Sequence, residues 1–452
     1  MRRLLAALLL LIGSWSHSAW ATIHSAPIVV KGDAVKLVTH YPLGMYRLFR
    51  SSSSGKAVSI PFQIDEINDW GDYVLPDGGD VTANTGTGIF DSQDELSFMG
   101  DDVGPAVPPS DWTEVGKPPI VIEIKISYPL ANSTGNSAAT AAIDKEGAVY
   151  LGVYFTNAPP LSTRQYVNFD RQRAEVLTSR YRYQFDQKNW LVAKKVEMVK
   201  KGTELLPQRE FVPLIDSTTF YMRADLKYFL TVEASHRSIE SKLEAYKVGP
   251  IRSIIRISFV YNFLKLNFEL GMYTEVSFFS NAVYLPAILY NPLDGAKNLN
   301  QGSGFYYGMA LRENPETYQV ETNMPRHKKS GLLDFLTNRP EAQDTYWITA
   351  ASQDRILYME INPSDEMRKR KSIPLFYQEN VPGSTVLTRS NEKPGELGKS
   401  PVNLALYFDM TKFSEGEHNM SLKLFFENLN DPQRLATFKS LKDWSIKPRR
   451  VN

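Results

Sequence analysis

The chain contains no cysteine. Disulfides, thiolate metal sites and a cysteine-borne lipid anchor are therefore excluded. Histidine is also scarce. His24, His40, His236, His327 and His418 lie beyond the leader described below, and no two fall within five residues of each other. There is no His-x-x-x-His pair and no zincin helix. A Gly-x-Ser-x-Gly elbow and a phosphate loop are missing as well. Net charge is nearly absent, with Lys+Arg 51 against Asp+Glu 50. That balance argues against a general nucleic-acid binder.

The N-terminus does carry a pattern. Met1-Arg2-Arg3 is followed by the apolar run Leu4 to Ile12, and Ala19-Trp20-Ala21 supplies a small-x-small site. This is the order of a cleavable signal peptide, residues 1–21. The apolar run is about half of the roughly 20 residues a spanning helix needs. An uncleaved anchor is the alternative. The expectation is an exported protein, periplasmic or extracellular, with no membrane span after processing. A cysteine-free exported chain suits a bacterial envelope better than a eukaryotic secretory route.

Periodicity favours strands throughout. Ile120 to Ile126 alternates, as does Ile257 to Phe263; Leu264 to Leu270 alternates on the other parity. A bulge near Phe263–Leu264 is the simplest account of that slip. Val35 to His40, Val149 to Tyr154, Trp190 to Val199, Ile356 to Ile361 and Met420 to Phe426 read as further strands. Helical signals are confined to 330–336 and 431–441. Strands at intervals of about ten residues predict an all-β fold: a large antiparallel β-sandwich with a smaller N-terminal β unit. An outer-membrane barrel is the rival all-β reading. Five prolines between 103 and 119 suggest a boundary, because proline does not sit in a central ladder. The expected division is 22–119, an N-terminal β unit with an acidic loop, and 120–452, a β-sandwich domain.

Residues 57–116 hold thirteen Asp and Glu and no Lys or Arg. Carboxylates crowded together repel unless a cation or a basic surface compensates. Hard oxygen ligands at short spacing suit Ca²⁺, and Asp91, Asp94, Glu95, Asp101 and Asp102 are the candidate ligands. The spacing is not that of an EF-hand: counted from Asp91, the sixth position is Leu96 and the twelfth Asp102. The competing reading is a solvated acidic loop, or one docked on basic residues such as Arg171, Arg173, Arg180 and Arg182, 326–329 or 368–371. No spacing selects a catalytic residue.

Three segments resemble known proteins. Ile60-Pro-Phe-Gln-Ile-Asp-Glu66 followed by Phe90-Asp-Ser-Gln-Asp-Glu-Leu-Ser-Phe98 is similar to the opening of exported bacterial β-proteins without an assigned function. Leu243-Glu-Ala-Tyr-Lys-Val-Gly-Pro-Ile-Arg-Ser-Ile-Ile-Arg256 resembles a strand-turn-strand of the galactose-mutarotase-like supersandwich, in which a Gly-Pro-hydrophobic-Arg turn recurs. The resemblance implies a supersandwich and a carbohydrate context. The His and Glu that act in mutarotases match no position here, so no catalytic residue is carried over. The expected function is that of an exported, Ca²⁺-stabilised β-sandwich protein binding glycan, a polysaccharide, at the cell envelope. The alternatives are a polysaccharide lyase or hydrolase and a structural or assembly component of the envelope. Oligomeric state stays open.

Overall fold

The computed structural model describes residues 26–79, 85–128, 145–203, 209–227, 230–235, 239–263, 266–291, 293–311, 319–324, 344–352, 354–369, 374–378, 402–428 and 445–451. Strands dominate them, in three sheets. Among the described residues no helix is long and apolar enough to cross a membrane. The α-helices there are short, Gly295–Asn298 and Asp365–Lys369. The helical segments expected at 330–336 and 431–441 lie outside the described residues.

The smallest sheet has three strands in the order Pro27–Lys31, Glu95–Met99 and Gln63–Asp65. Its middle strand is buried along its whole length. A six-stranded sheet follows the order Ser445–Val451, Ile120–Tyr128, Lys145–Val153, Tyr46–Ser51 and Ala57–Ser59, with Gly104–Pro105 pairing to one side. The expected boundary at 119/120 runs through this sheet, because Tyr46–Ser51 hydrogen-bonds to Lys145–Val153. The chain's last strand also joins it, against Ile120–Tyr128. One apolar cluster, including Ile28, Phe98, Ile124 and Leu151, is shared by these two sheets.

The third sheet has eighteen strands and is almost wholly antiparallel. It is the expected sandwich. Alternate residues point inward, so that Ile255, Ile257, Val276 and Phe278 meet Leu404, Leu406, Leu422 and Leu424 in one core. Strand periodicity of two puts half of each strand into that core and leaves the other half free to contact something else.

Two local expectations are corrected. The two runs around Phe263 are not one bulged strand. They form a hairpin in which Phe263 pairs with Leu266, so the parity changes because the chain reverses. The register irregularity of this hairpin lies between Phe259 and Tyr261. Residues 35–40 are not a strand either: Gly32–Val35 is a 3-10 turn, and His40 has φ 77°. Val35 and Val38, three residues apart, both point inward on successive turns.

Candidate functional site: an acidic cleft with an exposed indole

The acidic stretch divides into two sets of carboxylates. The first is neutralised. Asp65 Oδ2 accepts from Arg252 Nε at 2.8 Å, and Asp65 Oδ1 pairs with Lys247 at 2.8 Å. Glu95 Oε2 accepts from Arg252 Nη2 at 2.9 Å and from the Tyr73 hydroxyl at 2.7 Å. Arg252 is 1% exposed. Gln63 completes the joint: its Oε1 accepts the backbone N–H groups of Ile251 and Arg252, and its amide donates to Asp65. Burial pushes the Asp65 carboxyl up, but Arg252, Lys247 and Gln63 outweigh burial and hold it below its ordinary value. Asp102 is likewise engaged, by Arg164 at 3.2 Å and by the Tyr166 hydroxyl at 2.8 Å.

The docked-loop alternative thus describes part of the stretch: of the basic residues expected, Arg180 faces Asp101, while the ion pairs of Asp65, Glu95 and Asp102 are made by Arg252, Lys247 and Arg164. Arg182 pairs with Glu197, and Arg368 with Asp365. Residues 326–329 lie outside the described residues.

The second set has no such partner among the described residues. Glu66, Asp69, Asp91 and Asp94, with Asn68, Thr85 and Thr87, line a cleft of about 120 Å³. Among the described residues no Lys or Arg lines it. At its lip stands Trp70, 75% exposed. The indole is presented by a closed turn. Ile67 and Tyr73 bridge its base. Asn68 Oδ1 accepts the N–H groups of Trp70 and Asp72, both at 3.0 Å. Gly71, at φ 89°, takes the left-handed conformation that the turn needs and that side chains disfavour. Asp94 anchors the turn from below, its Oδ1 accepting Ile67 N–H and its Oδ2 accepting Asp91 N–H, each at 2.8 Å. Glu66 Oε1 accepts Gly88 N–H at 2.6 Å and closes the far wall. Burial, with Asp91 and Glu66 nearby, raises the Asp94 carboxyl above its ordinary value.

The five expected metal ligands therefore part company. Asp91 and Asp94 share the cleft. Glu95 turns to Arg252. Asp101 and Asp102 sit beyond the other end of the strand Glu95–Met99, in the turn Gly100–Asp102. Among the described residues no group of three or more His, Cys, Asp or Glu side chains is arranged to hold a metal ion. Sequence reading passed over Trp70, Asn68, Glu66 and Asp69. The signal for Trp70 was present: an aromatic inside Asn68-Asp-Trp-Gly-Asp72, a run of turn formers, is placed at a loop tip.

A second concavity, of about 220 Å³, opens into the sandwich. Trp190, Phe220, Phe305, Leu285, Met420 and Leu424 are among its lining residues, and among the described residues no carboxylate or arginine lines it. Ile257, Thr274 and Val276 form part of its wall. Their neighbours Arg256 and Glu275 point to the opposite face of the same two strands, toward the Trp70 turn.

No family model and no curated protein matches the chain. Among solved structures it is similar to an alpha-mannosidase from Enterococcus faecalis, at 9% identity and TM-score 0.41, over 95% of this chain and 45% of that one. A protein in glycosyl hydrolase family 38 from the same organism gives 9% identity and TM-score 0.41, over 96% and 46%. A Synechocystis protein gives 11% identity and TM-score 0.29, over 62% and 99%. The chain spans about half the length of the two Enterococcus chains. Likenesses this distant fix neither a family nor an activity.

Proposed function

We propose that the chain is an exported glycan-binding protein and that the Trp70 cleft holds the sugar. The observation that carries this reading is the exposed indole at the lip of a cleft walled by carboxylates, a carboxamide and threonine hydroxyls. A single exposed aromatic is ordinary. One fixed beside convergent hydrogen-bonding groups has the composition of a small-ligand site. A sugar ring has an apolar C–H face and a rim of hydroxyls. The face packs on the indole, and the hydroxyls donate to carboxylates in charge-assisted bonds. Binding is favoured over catalysis because Asp94, the carboxyl raised by its surroundings, has both oxygens occupied in holding the turn, by Ile67 N–H and Asp91 N–H.

Calcium enters the same proposal as a counter-charge. Glu66, Asp69, Asp91 and Asp94 line the cleft without being arranged as a ligand set, so the ion would act as a hydrated counter-charge that relieves the repulsion among them. The test is a glycan array followed by calorimetry, on the parent and on Trp70→Ala, with and without Ca²⁺. Parental affinity in Trp70→Ala refutes the site.

A second reading rests on the groove. Its apolar lining suits an acyl chain better than a sugar. Quenching of Trp190 by a fatty acid, lost in Leu424→Arg, would support it.

A further inference from the structure

The Trp70 turn is held from two sides. Its entry is tied within the N-terminal unit, through Ile67 N–H to Asp94 Oδ1. Its exit is tied to the sandwich, about two hundred residues away in sequence. The Tyr273 hydroxyl donates to Asp72 Oδ1 at 2.5 Å. Arg256 Nη2 donates to Tyr73 O at 3.2 Å, and Tyr73 N–H donates to Glu275 Oε2 at 3.2 Å. These three sandwich residues form one assembly. Arg256 Nη2 lies 2.6 Å from Glu275 Oε1, and the Arg256 guanidinium stands 4.8 Å from the Tyr273 ring centre. None of the three lines the cleft.

We propose that Tyr273, Arg256 and Glu275 are positioning residues for the cleft: they hold Asp72 and Tyr73, and through them set the place of Trp70. This inference rests on the glycan-binding reading only for its affinity readout. The physical reason is the population of the competent state. A loop free to sample other conformations binds with an affinity reduced by the fraction of time it spends in the right one. Asx-turn bonds fix the shape of the turn from Ile67 to Tyr73, but they do not fix its tilt. Tilt is set by the stems: the entry stem reaches the sandwich through Asp65, paired with Arg252 and Lys247, and the exit stem reaches it through Asp72 and Tyr73, next to the indole. The face of the strands opposite the ties carries Ile257 and Val276, packed into the main core. The Tyr273 and Arg256 ties therefore refer Trp70 to the stiffest part of the molecule.

Tyr273→Phe is the sharpest variant. It keeps the ring against Arg256 and removes one O–H. Tyr273 is 37% exposed, so the fold does not depend on it. Two readouts are used on the full mature chain. The first is fluorescence anisotropy of Trp70, taken as the difference between each variant and the same variant carrying Trp70→Phe. It needs no ligand. The second is affinity for the glycan found on the array. Tyr273→Phe is expected to lower the Trp70 anisotropy and to weaken binding by about fivefold, with an unchanged melting temperature. Asp72→Ala should do at least as much, since it also loses Arg256 at 4.0 Å, and the double variant should be no worse than Asp72→Ala alone, because the Tyr273 bond is already gone there. Parental anisotropy in Tyr273→Phe overturns the inference, as does full additivity in the double variant. If Trp70→Ala leaves glycan binding intact, the proposed function fails, while the anisotropy still decides whether Tyr273 positions the indole.

Discussion

Arg252 and Asp65 meet side by side in the interior, Nε to Oδ2 at 2.8 Å, with Arg252 almost wholly out of solvent. This pair joins the N-terminal unit to the sandwich. It also draws together the three segments 60–66, 90–98 and 243–256. Gln63 and Asp65 come from the first, Glu95 from the second, and Gly249 to Arg252 from the third. They meet at Arg252: Asp65 and Glu95 at its guanidinium, Gln63 at its backbone N–H.

Removing one side of this joint should be costly. Asp65→Asn is expected to lower stability by roughly 3–5 kcal/mol, because it leaves Glu95 alone against two cations, the buried Arg252 guanidinium and the Lys247 ammonium that Asp65 had paired. Urea unfolding followed by circular dichroism measures it. A loss below about 1 kcal/mol would show that the pair contributes little beyond an apolar substitute.

The same carboxyl sets a pH dependence. Its pKa is held below the ordinary value in the folded state. The stability it contributes is complete above the unfolded carboxylate range, about pH 4 to 5, and is lost as pH falls through the folded value. The parent should lose stability on acidification more steeply than Asp65→Asn. Parallel curves between pH 6 and pH 3 would sink this account.

Gly249 lies under Gln63. A Cβ at Gly249 would come 2.2 Å from the Gln63 side-chain carbon. Gln63 is buried and bonded, so it has little room to yield. Gly249→Ala should destabilise by about 1–3 kcal/mol, the range for overpacking. A Gln63→Ala background should recover part of that loss. No recovery would place the clash elsewhere.

Millimolar Ca²⁺ should raise the melting temperature and chelator should lower it, since an ion that binds only the folded state stabilises it by mass action. Asp91→Ala and Asp94→Ala should blunt the response. Asp94→Ala should also lower the starting temperature, because Ile67 and Asp91 lose their acceptor. Asp111→Ala, in a separate exposed loop, should leave the response intact. Indifference of the parent to both reagents removes calcium from the proposal.

Exported material should begin at Thr22, read by N-terminal sequencing as Thr-Ile-His-Ser-Ala. Material retaining Met1 and sedimenting with membranes would identify residues 1–21 as an anchor.

Sequence by itself determined the fold class. Alternation in Ile120 to Ile126 and Ile257 to Phe263 is a local property, and each strand shows its inward face in its own residues. It also placed the acidic stretch, because charge is visible residue by residue. Tertiary structure alone decided which carboxylates are neutralised. Asp65 and Glu66 are neighbours in the chain, yet one is paired with Arg252 and the other faces a cleft. Ion pairing depends on partners almost two hundred residues away, and no local pattern encodes that distance. The parity slip after Phe263 shows the same limit: a bulge and a hairpin leave one signature in sequence, and only pairing of Phe263 with Leu266 separates them. The indole of Trp70 was legible as a turn residue. Its place beside Asp91 and Asp94, and its tie to Tyr273 through Asp72, exist only once the sheets have packed.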